Sequence, residues 1–273
     1  MAKDRLVLIV DDDPHIREVV RFALEKCGFR TMEADDGKEA LALFLKSAPD
    51  VIILDIEMPR MDGITFLRKL MSQYPIPVII CSGLLESHCE LGLKALSYGA
   101  VEIITKPKLG VKEFLEESQV LIADAVRAAA HTGPKKRVSV PLPVSEQKLT
   151  ADAVLPLLPP AAVMPTTDRI VVAGASTGGT EALQVFLQQL PASCPGLVIV
   201  QHMPEKFTTA FAQRLNSLCG ITVRDAKHGD TITGGCALIA PGNRHTVIKR
   251  SGAHYYVEIS DGPLVSRHRP SAD

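Results

Sequence analysis

Residues 5–14 read RLVLIVDDDP, an apolar run that stops abruptly on three aspartates and a proline. Leu6–Val10 is apolar throughout and rich in branched side chains, the pattern of a strand buried on both faces. Asp13 ahead of Pro14 marks a helix start, because a carboxylate caps free backbone N–H groups and proline's fixed φ suits the opening helical position. The stretch predicts a strand, a sharp turn and a helix, with acids at the strand's carboxyl end. The same unit recurs downstream. Further strands are expected at Val51–Leu54, Val78–Cys81 and Val101–Ile104, with a weaker one at Thr31–Ala34. Helical patterns fall between them at Pro14–Cys27, Gly37–Lys46, Gly63–Gln73, Leu91–Ser97 and Val111–Ala130. Such alternation builds a parallel sheet with helices on both faces.

The rhythm collapses after this. His131–Thr167 carries prolines at 134, 141, 143, 156, 159, 160 and 165, too dense for regular helix or central strand. It reads as an extended, semi-rigid linker. Alternation resumes at Arg169, with strands expected at Ile170–Ala173, Leu197–Val200, Cys236–Ala240, Thr246–Lys249 and Tyr255–Ile259, and helices at Thr180–Leu190 and Thr208–Leu218. Three segments follow: an α/β domain over 1–130, the linker over 131–167, and a second α/β domain over 168–273. Both domains are expected to be doubly wound parallel sheets. The chain has 273 residues, 46% of them hydrophobic, enough for two real cores. Thirty basic against 31 acidic residues give a net charge of -1, which argues against a nucleic-acid partner. Six scattered cysteines without a C-x-x-C pair point to reduced, mostly buried thiols. The first apolar run is too short for a signal peptide or a membrane span. The expectation is a soluble, cytoplasmic protein without membrane insertion.

An open parallel sheet binds its ligands at the carboxyl ends of its strands. Asp11, Asp12 and Asp13 close the first strand of the N-terminal domain and Asp55 closes the third, while Ser82 and Lys106 end the fourth and fifth. Crowded carboxylates repel and stay ionised together only beside a cation. An oxygen-only donor set with room for water and phosphate suits Mg²⁺. An aspartate beside such a cation can act as nucleophile and form an acyl phosphate. A hydroxyl and an ammonium nearby can each bind one oxygen of the phosphoryl group. Each piece alone has a plain reading, Asp13-Pro14 as a cap and Lys106-Pro107 as a turn. Their gathering on one sheet edge argues for phosphoryl chemistry. The stretches VDDD (10–13), LDIEMPRMDG (54–63), the Ser82 position and TKP (105–107) closely resemble the receiver domain of two-component response regulators. That resemblance implies a flavodoxin-like fold, Asp55 as phosphoacceptor, and a Mg²⁺ site of Asp11, Asp12 and Asp55. It also implies Ser82 and Lys106 as phosphate-sensing groups and a histidine kinase as phosphoryl donor. Ile103 stands where many receivers carry an aromatic residue, so a switch based on an aromatic rotamer does not carry over.

The second domain opens on RIVVAGASTGG (169–179). A strand, glycine turn and helix can hold a pyrophosphate, but G-x-G-x-x-G is absent and the next strand ends in Gln201-His202 rather than an acid. The same turn satisfies the nucleophile elbow G-x-S-x-G at Gly174–Gly178, which presents Ser176. If the two strands pair, Ser176 and His202 lie about 5 Å apart at their ends, within reach for a histidine to activate a serine. Separately, the two residues read as a helix cap and a polar strand end. Together, on adjacent strand ends, they favour catalysis. GASTGG (174–179), VIVQHMP (198–204), APGNRH (240–245) and HRPSAD (268–273) resemble the catalytic domain of CheB-type chemotaxis protein-glutamate methylesterases.

With the receiver and linker, the resemblance spans essentially the whole chain. It implies a Rossmann-like three-layer α/β esterase domain, with Ser176 as nucleophile, His202 as base, Thr177 and His245 as pocket residues, and no cofactor for the ester chemistry. The implied reaction is hydrolysis of glutamate methyl esters on chemoreceptors, often with glutamine deamidation, under control of a receiver that covers the cleft. The family's triad aspartate lies downstream of HRPSxD. A fragment or truncated product is therefore expected, with Pro270–Asp273 opening an unfinished helix. Asp225, Asp230 and Asp261 are the substitutes on offer. The alternative reading is a catalytically silent, phospho-dependent binding module.

Overall fold

A computed structural model of the chain describes residues 5–83, 86–107, 112–132, 169–266 and 268–272. The N-terminal part runs β1 (Leu6–Val10), α1 (Pro14–Lys26), β2 (Arg30–Ala34), α2 (Gly37–Lys46), β3 (Val51–Leu54), α3 (Gly63–Gln73), β4 (Val78–Ser82), α4 (Glu86–Ser97), β5 (Glu102–Thr105) and α5 (Lys112–Thr132). The strands form one parallel sheet in the order β2-β1-β3-β4-β5. Alternate residues of each strand feed opposite faces, as the period of two requires. Leu8, Val10, Ile52, Leu54 and Ile80 pack with Ala40, Phe44, Phe66 and Leu70 of α2 and α3. Val7, Ile9, Val51, Ile53 and Ile79 pack with Ile16, Val20, Ile122 and Val126 of α1 and α5. Burying each such Leu or Ile side chain contributes about 1.5–3 kcal/mol. Three helices start on an aspartate that accepts backbone N–H bonds: Asp13 from His15, Asp36 from Lys38 and Glu39, and Asp62 from Thr65.

The C-terminal part runs β6 (Ile170–Ala175), α6 (Gly179–Gln188), β7 (Gly196–Gln201), α7 (Phe207–Leu218), β8 (Thr222–Asp225), β9 (Cys236–Ile239), β10 (His245–Ser251) and β11 (His254–Ser260). Its parallel sheet has the order β6-β7-β9-β8. One face packs on Leu183 and Leu187 of α6 and on Phe207, Phe211 and Leu215 of α7. The other face meets Val257, Ile248 and Tyr255 of the antiparallel β10–β11 hairpin. The two latest strands expected from the sequence thus form their own ribbon beneath the parallel sheet.

The α/β architecture and the parallel sheets stand as expected, with local differences. β8 has no counterpart in the sequence reading, because TVRD is short and half-exposed at a sheet edge. Helix α4 begins at Glu86 rather than Leu91, and α5 runs to Thr132, past Ala130. The remainder of the expected linker, 133–167, lies outside the described residues, as does Asp273, and Pro270–Ala272 carry no helix. All six cysteines are free, and Cys81, Cys89, Cys194 and Cys236 are buried. Among the described residues no helix is long and apolar enough to cross a membrane.

Candidate functional site

Two chemical centres lie at the carboxyl ends of the two parallel sheets. In the first, β1 and β3 are neighbours, so Asp11 and Asp55 leave adjacent strand ends. Both are buried, together with Ser82 at the end of β4. Lys106, just after β5, places its Nζ 2.8 Å from Asp55 Oδ2 and 2.8 Å from Asp11 Oδ2. Asp55 Oδ1 accepts the Ile56 N–H at 2.7 Å. The exposed Asp12 completes a cluster whose carboxylate oxygens lie within 4.8 Å of one another.

The charge balance of this cluster is incomplete. Burial raises the Asp11 pKa to about 6, the Lys106 bond opposes the rise, and the charge of Asp55 reinforces it. Burial also raises Asp55, against the pull of Lys106. Burial works against the Lys106 charge, yet its bonds to Asp11 and Asp55 hold its pKa above the ordinary lysine value. Three carboxylates facing a single ammonium leave room for a divalent cation, and an all-oxygen donor set suits a hard one. The residues fit such an ion.

The second centre sits on the paired ends of β6 and β7. Ala175 registers with Gln201, so Ser176 and His202 are the next residues off neighbouring strands. Ser176 Oγ lies 3.2 Å from His202 Nδ1. For Nδ1 to accept the serine proton, the neutral imidazole must carry its hydrogen on Nε2. Gly178 holds a left-handed conformation at the start of α6 (φ 77°), which glycine adopts without a Cβ penalty. A Cβ on Gly179 would fall 2.3 Å from Gln201 Oε1 and 2.7 Å from Ala175 Cβ, so the turn admits nothing larger there.

Three residues that the sequence did not single out belong to this centre. Gln201 is buried, and its amide donates to the carbonyls of Ser176 and His202 at 3.1 Å each. His268 stacks on His202, with ring centroids 3.7 Å apart and planes 10° from parallel. Glu102, from the N-terminal sheet, accepts the Thr177 hydroxyl at 2.5 Å. Only Gln201 left a trace in the sequence, as the one polar side chain of an apolar strand. His268 opens the HRPSAD stretch, but its stacking on His202, like the reach of Glu102 to Thr177, leaves no local trace. His245 lies on β10 with Nε2 2.7 Å from the Pro263 carbonyl, an acceptor it serves as donor. Asp225 is bonded to Thr209, Asp230 to Arg224, and Asp261 lies 3.6 Å from Arg244, so each acid offered by the sequence is held by another partner.

The two halves of the chain touch beside this centre. The Gly178 N–H donates to the Val101 carbonyl at 3.1 Å. Phe207, at the start of α7, is completely buried, and both its ring and Ile103 come up against Gly92 of α4. Cys89, Leu93 and Ile103 share one apolar cluster with Phe207 and Phe211.

Both halves of the chain match known families. Residues 7–117 match the response regulator receiver domain, and residues 171–273 match CheB methylesterase. The chain is 57% identical over its full length to protein-glutamate methylesterase/protein-glutamine glutaminase 5 of Anaeromyxobacter dehalogenans, covering 75% of that protein. It is 57% identical to the corresponding protein 3 of Geobacter metallireducens, over 98% of this chain and 76% of the relative. It is 52% identical to protein 2 of Oleidesulfovibrio alaskensis, over 100% of this chain and 77% of the relative. The chain belongs to the protein-glutamate methylesterase/protein-glutamine glutaminase family, in which a response regulator receiver domain precedes a CheB methylesterase domain.

Proposed function

We propose that the chain is a phosphorylation-controlled hydrolase of glutamate methyl esters on chemoreceptors, with glutamine deamidation at the same sites, serving adaptation in bacterial chemotaxis. The observation that carries this reading is the 3.2 Å approach of Ser176 Oγ to His202 Nδ1 on paired strand ends. Ser176 attacks the ester carbonyl while His202 takes its proton; His202 then returns that proton to departing methanol, and water completes hydrolysis of the acyl-serine. Stacking on His268 and the double tie from Gln201 support a fixed geometry for this pair.

Residues 1–130 act as the switch, 131–167 as the tether and 168–273 as the hydrolase, in the cytoplasm. Asp55 accepts the phosphoryl group from a histidine kinase, with Mg²⁺ held by Asp11, Asp12 and Asp55. Mg²⁺ supplies charge neutralisation for the incoming phosphoryl oxygens. Lys106 and Ser82 then bind phosphoryl oxygens, so Lys106 must exchange its present partners Asp55 and Asp11 for the new group. Lys106 follows directly on the strand that carries Glu102 and Ile103, which gives the change a short route to the contact beside Ser176.

Methanol release from a methylated receptor tests the reading. Release is expected after treatment with acetyl phosphate and Mg²⁺, weak release without it, and background release from Ser176→Ala. Release from the phosphorylated chain no faster than from Ser176→Ala would leave the silent binding module in its place. Mass spectrometry should find one added phosphoryl group, absent in Asp55→Asn; its persistence there would assign the phosphoacceptor elsewhere.

A further inference from the structure

A carboxyl group from the N-terminal domain lies against the residue that follows the nucleophile. Glu102 opens β5, and its Oε2 accepts the Thr177 hydroxyl at 2.5 Å. One residue on, the Gly178 N–H donates to the carbonyl of Val101, which precedes Glu102. A peptide carbonyl and the adjoining glutamyl side chain thus dock together on the turn Ser176–Gly178. Burial raises the Glu102 carboxyl above its ordinary pKa, against the Thr177 bond, so the group gives up hydration to sit there. Water solvates a carboxylate better than one hydroxyl does, so the buried position costs free energy that the docking must offset.

The reaction proposed above leaves a glutamyl carboxylate, attached to protein backbone, beside Ser176. We propose that Glu102 is a built-in mimic of that product. Thr177 Oγ anchors a subsite for a protein-borne glutamyl carboxyl, which the N-terminal domain fills with the Glu102 side chain, while the Val101 carbonyl takes the adjoining Gly178 N–H, until phosphorylation withdraws β5. This inference rests on the glutamyl-ester reading of Ser176 and names the group that competes with substrate. It distinguishes occupancy of a chemical subsite from mere shielding of the cleft. A shield of any shape would suffice for the latter, whereas a subsite can be refilled by a small free carboxylate.

The test is a titration of the full chain with N-acetylglutamate α-amide, which offers one free γ-carboxylate, followed through the backbone amide signals of Thr177 and Gly178. In Glu102→Ala, saturable shifts are expected at both amides. In the unsubstituted chain they are expected only after Asp55 is phosphorylated. Unphosphorylated methanol release should rise at least tenfold in Glu102→Ala, and the added carboxylate should lower it again. Glu102→Gln, which keeps the side chain's length and a carbonyl acceptor, should raise the unphosphorylated rate less than Glu102→Ala does, and matching circular dichroism of both variants and the parent guards against a folding artefact. Absence of shifts in Glu102→Ala overturns the proposal. So does a basal rate unmoved by that substitution while phosphorylation still activates. Shifts present in Glu102→Ala with no methanol release from any form, phosphorylated or not, would uphold the subsite and sink the esterase reading of Ser176.

Discussion

Gln201 bridges the ends of β6 and β7 with a single amide, donating to the carbonyls of Ser176 and His202 from a buried position. Gln201→Ala strands both acceptors and opens a gap behind Gly179, so a loss of about 1–3 kcal/mol is expected in denaturant unfolding. Turnover should fall while KM for the receptor holds, because the substitution disturbs the Ser176–His202 geometry and leaves the docking surface intact. Asp11 gives a pH dependence of definite sign. Its folded-state pKa is raised, so below about 6 the folded protein keeps a proton that the cation must displace. Mg²⁺ affinity is therefore expected to climb as pH rises through about 6 and level off above it, and Asp11→Asn should flatten the profile. Calorimetric titrations across that range measure this; an affinity independent of pH would count against Asp11 as a ligand. Legibility at this scale divides sharply. Asp11, Asp55, Lys106, Ser176 and His202 sit at strand ends, where periodicity alone locates them. Gln201 hid inside an apolar run, and the partnerships of Glu102 and His268 depend on contacts that no local pattern encodes.

Elements were readable where their signals were local. Asp13, Asp36 and Asp62 cap their helices, and β1, β3 and β4 are the continuous apolar runs that a doubly covered strand requires. β8 escaped because an edge strand of four residues, half-exposed and holding an arginine and an aspartate, has neither alternation nor a run to detect. The β10–β11 ribbon was visible as strands, but its antiparallel pairing underneath the second sheet is a tertiary fact. The link between α3 and the Asp55 loop turns on one small residue. A Cβ on Gly63 would lie 2.0 Å from the Asp55 carbonyl oxygen and 2.9 Å from Ile56 Cα, contacts that backbone cannot relieve by a rotamer change. Gly63→Ala must therefore displace the start of α3 or the Asp55 loop. A stability loss of about 1–3 kcal/mol is expected, with slower phosphorylation by acetyl phosphate. Unfolding midpoints and intact-mass kinetics report the two effects separately.

Over the whole molecule, the two domains share one apolar cluster that includes Ile103 and Phe207, both of them against Gly92. A receiver covering the cleft is expected from the sequence, but the residues that make the contact were illegible, because the apolar faces of α4 and α7 look like ordinary core faces of their own domains. A Cβ on Gly92 would sit 2.6 Å from Phe207 Cε1 and 3.2 Å from Ile103 Cδ1. Alanine also favours helix over glycine by about 0.5–1 kcal/mol, so Gly92→Ala should wedge the domains apart without weakening α4 itself. Unphosphorylated methanol release is expected to rise severalfold in this variant, with the phosphorylated rate unchanged; an unaltered basal rate would mean that this contact does not restrain the enzyme.

The complete burial of Phe207 has a further cost for the cell. Parting the domains would bring a phenylalanine ring, and with it Leu93 and Cys89 of the same apolar cluster, toward water. A molecule activated in that way would be briefly adhesive toward apolar surfaces, including another activated copy. Re-docking within one chain competes with that sticking, because the covalent connection makes it an intramolecular step. Tethering the switch to the hydrolase would thus also act as a solubility safeguard, keeping a signal that must expose its own core from becoming a seed for aggregation.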